Sequence, residues 1–261
     1  MIRVEPEVFL VGETQMVTQG MQEFLQEIKV PDWETDAPSD SEEVIEIMSR
    51  LCYGSFDPSL NPNLTAVRDG NQPYLGNVVS KRHGSVAEHS VLNFIFLNVS
   101  RVFTHELVRH RVGTAMSQES GRYVRIGNLK LWVPTVIQDN AEALDIFTST
   151  FEHLEQLQLR LAEIFELDEP GTSFKTKKTV TSAIRRIAPI GMGTVIGWSA
   201  NFRTLRWVLE TRTDPAAEEE IRLVFGKVGE IVTERYPNIF GDFSCGTVDG
   251  LPHYKPATSK V

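Results

Sequence analysis

Cysteine is nearly absent: the chain of 261 residues has 2, Cys52 and Cys245. That is too few for a disulfide framework, and their aromatic or apolar neighbours in sequence predict buried thiols. No stretch approaches the roughly 18 apolar residues of a membrane span. The opening Met1-Ile2-Arg3-Val4-Glu5 lacks the apolar centre of a secretory signal. A cytoplasmic protein with no membrane partner is expected. Positive charge is in deficit, with 26 Lys and Arg against 35 Asp and Glu and a formal net charge of -9. Coating a nucleic acid polymer needs broad cationic surfaces, so no such partner is expected, whereas a small anion needs only a pocket. There is no Gly-rich dinucleotide fingerprint and no phosphate loop, so any dinucleotide would bind outside the Rossmann scheme. Internal repeats are also missing. The one compositional break, the acidic stretch Pro31 to Glu43, reads as a surface loop, and with 41% hydrophobic residues a single domain over 1–261 is expected.

Against this acidic background, residues 109–123 concentrate cations: Arg109, His110, Arg111 and Arg122, with Ser117, Gln118, Glu119 and Ser120 beside Gly121. A local cationic cluster in an acidic chain points to a small negative ligand. Ser120, Gly121 and Arg122 suit ligand holding: a hydroxyl, a backbone N–H that glycine leaves approachable, and a forked cation. Most arginines of an acidic protein belong to solvated, salt-bridged surface, but clustering weighs against that here. A second cluster follows in Arg185, Arg186, Arg203, Arg206 and Arg212. Two such segments imply two phosphate-bearing ligands or one long one.

Patterning supplies a scaffold. Ser39-Asp-Ser-Glu42 has the form of a capping box, and Val44, Ile45, Met48, Leu51 and Cys52 continue it as a helix over roughly 40 to 53. Val91 to Val99 is rich in aromatic and β-branched residues, as a buried strand requires. Residues 101–111 read as a helix whose C-terminal end carries Arg109, His110 and Arg111, where the dipole favours cations, with Gly113 as a tight exit into a loop. Arg122 to Val133 reads as a strand stopped by Pro134. Leu144, Phe147, Phe151, Leu154 and Leu161 mark a long amphipathic helix. Asn201-Phe-Arg203 falls at a strand-to-helix boundary. Asp214-Pro215 reads as a helix start for the stripe Ile221, Val224, Phe225, Val228, Ile231 and Val232. Strands and helices without βαβ regularity predict an α+β domain, helices flanking a mixed or antiparallel sheet.

Other chemistries fit less well. In His105-Glu106-Leu-Val-Arg-His110 the histidines are five apart, which places them about 140° apart around a helix instead of the ~40° of a zinc-hydrolase pair. No metal site is therefore expected, and His83 and His89 have no acidic cluster to complete one. Neither cysteine has a histidine close in sequence to activate it. Ser120 has Glu119 beside it but no nucleophile elbow.

Taken in order, His83-Gly-Ser85-Val-Ala-Glu88-His89, Arg109-His110-Arg111, Ser120-Gly121-Arg122-Tyr123, Asn201-x-Arg203 and Arg212 resemble the motif set of the flavin-dependent thymidylate synthases and their UMP-methylating relatives. The resemblance implies FAD, a uracil mononucleotide, methylenetetrahydrofolate as carbon donor and NADPH as reductant, in a homotetramer with shared active sites. It implies flavin contacts from His83, Ser85, Glu88, Arg109, His110, Arg111, Gln118, Asn201, Arg203 and Trp207. Nucleotide contacts are implied for Glu106, Arg109, Gln118, Glu119, Ser120, Gly121, Arg122 and Arg185. Arg212 matches the arginine that polarises the uracil ring, and Ser120 is the other residue assigned to the chemistry. Charge builds in the ring when C5 attacks an electrophile, and a fixed guanidinium stabilises it. A hydride from reduced flavin agrees with the lack of an evident cysteine nucleophile.

The chain departs from the family pattern in places. Eight residues separate Arg111 from Ser120, one more than usual, so the nucleotide loop is reshaped. Trp207 and Ala216 replace polar flavin-side residues, and Glu106 stands where glutamine is common. A carboxylate at Glu106 can accept a hydrogen bond from a ribose hydroxyl, which makes UMP the alternative to dUMP. A non-catalytic uracil-nucleotide-binding module without flavin is a further alternative.

Overall fold

The computed structural model describes residues 1–122, 128–259 and 261. In chain order, β1 (Ile2–Arg3) and β2 (Glu7–Glu13) precede α1 (Thr18–Glu27), α2 (Asp40–Tyr53) and α3 (Asn71–Ser80). Then β3 (Val91–Ser100) feeds α4 (Arg101–Leu107) and β4 (Thr114–Gln118), and β5 (Lys130–Leu131) is followed by α5 (Thr135–Gln138), α6 (Ala141–Ile164) and α7 (Phe174–Ile184). Last, β6 (Gly193–Asn201) leads into α8 (Phe202–Arg212), α9 (Glu219–Arg235), α10 (Pro237–Phe240) and the strands β7 (Phe243–Val248) and β8 (Leu251–Pro256). A sheet of four strands has the order β2-β3-β6-β4, β1 pairs with β5 in parallel, and β7 pairs with β8 antiparallel. Helices with such sheets make an α+β fold, as the sequence predicts.

Contacts group the chain into two compact units: Met1–Phe9, Ile95–His110 and Met116–Trp198 form one, and Leu10–Phe94, Arg111–Ala115 and Ser199–Val261 the other. In the first, the Phe96 ring lies 5.9 Å from Trp198 and 5.5 Å, edge-on, from Phe103. Leu129, Leu131, Val133, Phe151 and Met192 form a second cluster against the apolar stripe of α6. In the second unit, Phe202 packs on Tyr236 at 4.9 Å and on Phe240 at 5.4 Å. Ile221, Val224, Phe225, Val228 and Val232 are fully buried along α9, the stripe read from the sequence except for Ile231, which is half-buried.

The capping box forms: the Ser39 hydroxyl oxygen accepts the Glu42 N–H and its O–H donates to the Glu42 carboxylate at 3.0 Å. The other Glu42 oxygen accepts the N–H groups of Asn238 at 2.8 Å and Ile239 at 3.2 Å. Burial of Glu42 pushes its carboxyl above the usual carboxylate range. Glu42→Ala takes the acceptor from the half-buried Asn238 N–H and leaves the Ile239 N–H with the Tyr236 carbonyl alone, at 3.3 Å, and is expected to cost about 1–3 kcal/mol in urea denaturation. Glu42→Gln keeps an acceptor and is expected to cost less than half of that. An unchanged midpoint in the alanine variant would exclude the tie between α2 and α10.

Several local expectations are corrected. Both cysteines are exposed, Cys52 on the outer face of α2 and Cys245 on β7; sequence neighbours do not fix which way an amphipathic element faces. The helix expected over 101–111 stops at Leu107, because the Arg109 and His110 N–H groups turn to the carbonyls three residues back, tightening the chain into its exit. Thr114–Gln118, read as loop, is a strand. The strand expected over 122–133 is only Lys130–Leu131, and its residues 123–127 lie outside those described. Helix α9 begins at Glu219 because the Glu218 carboxylate caps the Glu220 and Ile221 N–H groups. Asp214 instead caps a separate turn through the Ala216 N–H. The loop at Pro31 ends at Ser39 and not at Glu43, since α2 starts at Asp40.

Candidate functional site

The cationic motif falls in two constellations, one in each unit. In the first unit, Ser100 caps α4 by accepting the Phe103 N–H at 3.0 Å, which sets Arg101 as the helix's opening residue. At the other end Glu106 is half-buried, Arg109 exposed and His110 buried. Gln118 is oriented by α4, donating to the Thr104 hydroxyl at 3.2 Å. The Glu119 N–H donates to the Val195 carbonyl at 2.9 Å. The Ser120 hydroxyl accepts the Arg122 N–H at 3.3 Å, closing a local turn around buried Gly121. Arg101 and Arg185 both approach that glycine: a Cβ on Gly121 would lie 3.6 Å from Arg185 Cδ and 3.8 Å from Arg101 Nη2. Arg101 is steadied by donating to the Glu119 carbonyl at 3.3 Å.

In the second unit, Asn201 ends β6 and caps α8, its side-chain oxygen accepting the Thr204 N–H at 2.9 Å. Its own N–H donates to the Gly113 carbonyl at 3.0 Å. Gly113 has φ +69°, and a Cβ there would stand 2.5 Å from both Asn201 Nδ2 and Thr204 Oγ1, so both conformation and space demand glycine. The Thr204 hydroxyl donates to the Val112 carbonyl at 2.8 Å. Arg203 pairs with Glu88 at 2.5 Å, both side chains nearly half exposed. Glu88, Asn201, Arg203, Thr204 and Trp207, with Val112 and Val261, line a cavity of about 240 Å³. A neighbouring cavity of about 510 Å³ shares Trp207 and is lined by Glu210, Arg212 and Asp214. His83, Ser85 and Arg111 are exposed and do not line these cavities. A larger cavity of about 730 Å³ beside Glu13 and Arg235 contains no motif residue, so size does not select the site.

The structure thus brings together Glu88, Asn201, Arg203 and Trp207, places Arg212 next to them, and groups Ser120 and Gly121 with Arg185. Sequence reasoning missed Arg101, whose signal is its place in the first turn of the helix that carries Glu106. It also missed Tyr53, whose hydroxyl lies 2.5 Å from His83 Nδ1 with the rings stacked at 5.7 Å. Nothing in the local pattern marks that long-range pair.

Residues 35–238 match the family model described as thymidylate synthase complementing protein. The chain is 31% identical over 216 residues to a flavin-dependent thymidylate synthase of Corynebacterium diphtheriae, covering 81% of this chain and 83% of that protein. Identity is 33% over 234 residues to the one from Mycobacterium marinum, covering 87% and 88%. The crystal structure of the UMP/dUMP methylase PolB from Streptomyces cacaoi, bound with 5-Br dUMP, superposes with a TM-score of 0.64 at 17% identity over 91% of this chain and 94% of that one. That last likeness is one of fold. Fold and relatives together define an enzyme of the methyltransferase class. More particularly, the chain belongs to the flavin-dependent thymidylate synthase family, whose name implies a flavin. Among the described residues no helix is long and apolar enough to cross a membrane.

Proposed function

We propose that this protein reductively methylates C5 of a uracil mononucleotide, converting dUMP to dTMP with methylenetetrahydrofolate as carbon donor, FAD as cofactor and NADPH as reductant. The observation that carries the reading is that two arginines converge on buried Gly121, Arg101 through its guanidinium and Arg185 through the stem of its side chain. Two forked cations and an approachable backbone suit a phosphate, with Ser120 and Arg122 on the same turn and Gln118 at the end of β4. Arg109 and Glu119 complete the polar surroundings, and Glu106 faces the ribose in this reading.

The residues of the second unit fit part of a flavin. The cavity beside Arg203 offers a guanidinium, the exposed Trp207 and apolar walls, but its 240 Å³ is below the roughly 300–1,000 Å³ of a complete small-molecule site. A whole FAD needs more surface, which supports a homotetramer whose subunits share their active sites, with His83, Ser85, Arg111 and His110 serving the cofactor there. Bound flavin supplies the hydride that reduces the transferred carbon. Arg212 stabilises the negative charge that develops on the uracil oxygen as C5 attacks, and Ser120 positions the nucleotide during that step. Residues 1–261 act as one functional domain in this reading, supported by a family match over 35–238 that runs through both compact units, and work in the cytoplasm without nucleic acid or membrane partners.

A second reading, methylation of UMP, is favoured by half-buried Glu106, whose carboxylate can accept from a 2′-hydroxyl. Offering dUMP and UMP together to the purified protein with FAD, NADPH and methylenetetrahydrofolate, with products read by mass, tests both. Mainly dTMP is expected. Mainly 5-methyl-UMP would reassign the substrate, and a flavin-free protein making no methylated product would reduce it to a nucleotide-binding module.

A further inference from the structure

After β8, residues 257–259 and Val261 return along α8 and are held there by side chains that also line the cavities. The Ala257 N–H donates to the Asp242 carbonyl at 2.9 Å and the Thr258 N–H to the Asp242 carboxylate at 3.2 Å. The Thr258 carbonyl accepts from Arg206 at 3.2 Å, the Ser259 hydroxyl donates to Glu210 at 3.0 Å, and the Val261 carbonyl accepts from Arg203 Nε at 3.3 Å. The three anchors, at positions 203, 206 and 210, are three and four apart and so share one face of the helix.

The seat is built for this segment. Arg206 is buried, with its guanidinium fixed by the Asp242 carboxylate at 2.6 Å and by the Ile239 carbonyl. On the other side, a Cβ at Gly84 would overlap the Val261 carbonyl carbon and stand 2.7 Å from its oxygen. Only glycine admits the backbone this closely. Val261 is buried and forms a wall of the cavity shared with Arg203 and Trp207, while Ser259 lines the neighbouring cavity beside Glu210. Two of the anchors, Arg203 and Glu210, therefore belong to cavity walls and not to the core.

We propose that residues 257–259 and Val261 form a positioning strap that walls the flavin-side cavity and fixes the Arg203 guanidinium between Glu88 and the Val261 carbonyl. A guanidinium held at both ends keeps one orientation toward a bound group. The strap's effect on cofactor rests on the reading that this cavity takes part of FAD.

The test uses the full chain with Ser259→Ala, which removes one anchor, and Gly84→Ala, which obstructs the seat. Amide hydrogen exchange over 257–259 is followed in flavin-free protein, and FAD affinity by quenching of flavin fluorescence. Both variants are expected to speed exchange in the strap and to weaken FAD about tenfold, the scale of one lost hydrogen bond. Ser259→Thr, which keeps the hydroxyl, should restore both readouts. Faster exchange with unaltered FAD affinity would leave the strap a structural tail, and unaltered exchange in both variants would remove the contacts' importance. Tighter FAD would make it a plug instead of a wall. If the unaltered protein binds no FAD, the cofactor reading itself fails and the strap's role falls with it.

Discussion

Replacing Arg212 with alanine is expected to lower methyl transfer by about three orders of magnitude while FAD remains bound, the scale of losing one preorganised charge-stabilising group. Arg212 is the last residue of α8, half-buried, on the wall of the 510 Å³ cavity beside Glu210 and Trp207. The end of a helix is a favourable place for a cation, so the side chain has a defined origin without being locked in the core. The flavin-side anchors, Arg203 and Asn201, lie at the opposite end of the same helix, and for that reason the alanine variant should keep its flavin. Single-turnover formation of dTMP, read alongside the bound-flavin absorbance, separates the two. Arg212→Lys keeps the charge but loses the planar fork and is expected to recover only part of the rate. Turnover unchanged in the alanine variant would remove Arg212 from the chemistry, and loss of flavin together with rate would make it a cofactor contact.

Legibility in the sequence followed the range of the interactions involved. The Ser39 cap, the Asn201 boundary and the α9 stripe are set by residues a few positions apart, so local pattern reveals them. Gly113 could be read as an exit because few residues tolerate its positive φ. Thr114–Gln118 could not be read as a strand: its Thr-Ala-Met-Ser-Gln side chains alternate between half-buried and exposed without an apolar face, and its place comes from partners far along the chain. Residues 108–111 carry no breaker, so the pattern predicts a longer helix at Arg101, yet the Arg109 and His110 N–H groups bond to carbonyls three residues back and the helix ends at Leu107. For the site, residue types marked the cations, but pairings across long separations did not show. Arg101 beside Gly121 and Val261 against Gly84 are products of folding, visible only once the elements are packed.

Removing Arg101 or Arg185 is expected to raise KM for dUMP by about 10- to 100-fold each, with kcat little changed, because a charge-assisted hydrogen bond to phosphate contributes about 1.5–3 kcal/mol to ground and transition state alike. Alanine at both positions should cost less than the sum of the single losses. A phosphate released from one guanidinium is no longer held in register for the other, and the shortfall in a double-mutant cycle measures that coupling. Raising ionic strength should weaken dUMP binding to the unaltered protein more than to either variant, since fewer charges remain to screen. Gly121→Ala distinguishes ligand space from structural need. The added methyl would meet Arg185 and Arg101 only at ordinary contact distances, 3.6 Å and 3.8 Å, so the melting temperature should hold. On the ligand side the same methyl stands where a phosphate must come close to the backbone, and KM should rise as far as it does in the arginine variants. A Gly121→Ala protein with unchanged KM would move the phosphate away from this turn, and Arg101 would then be only the partner of the Glu119 carbonyl.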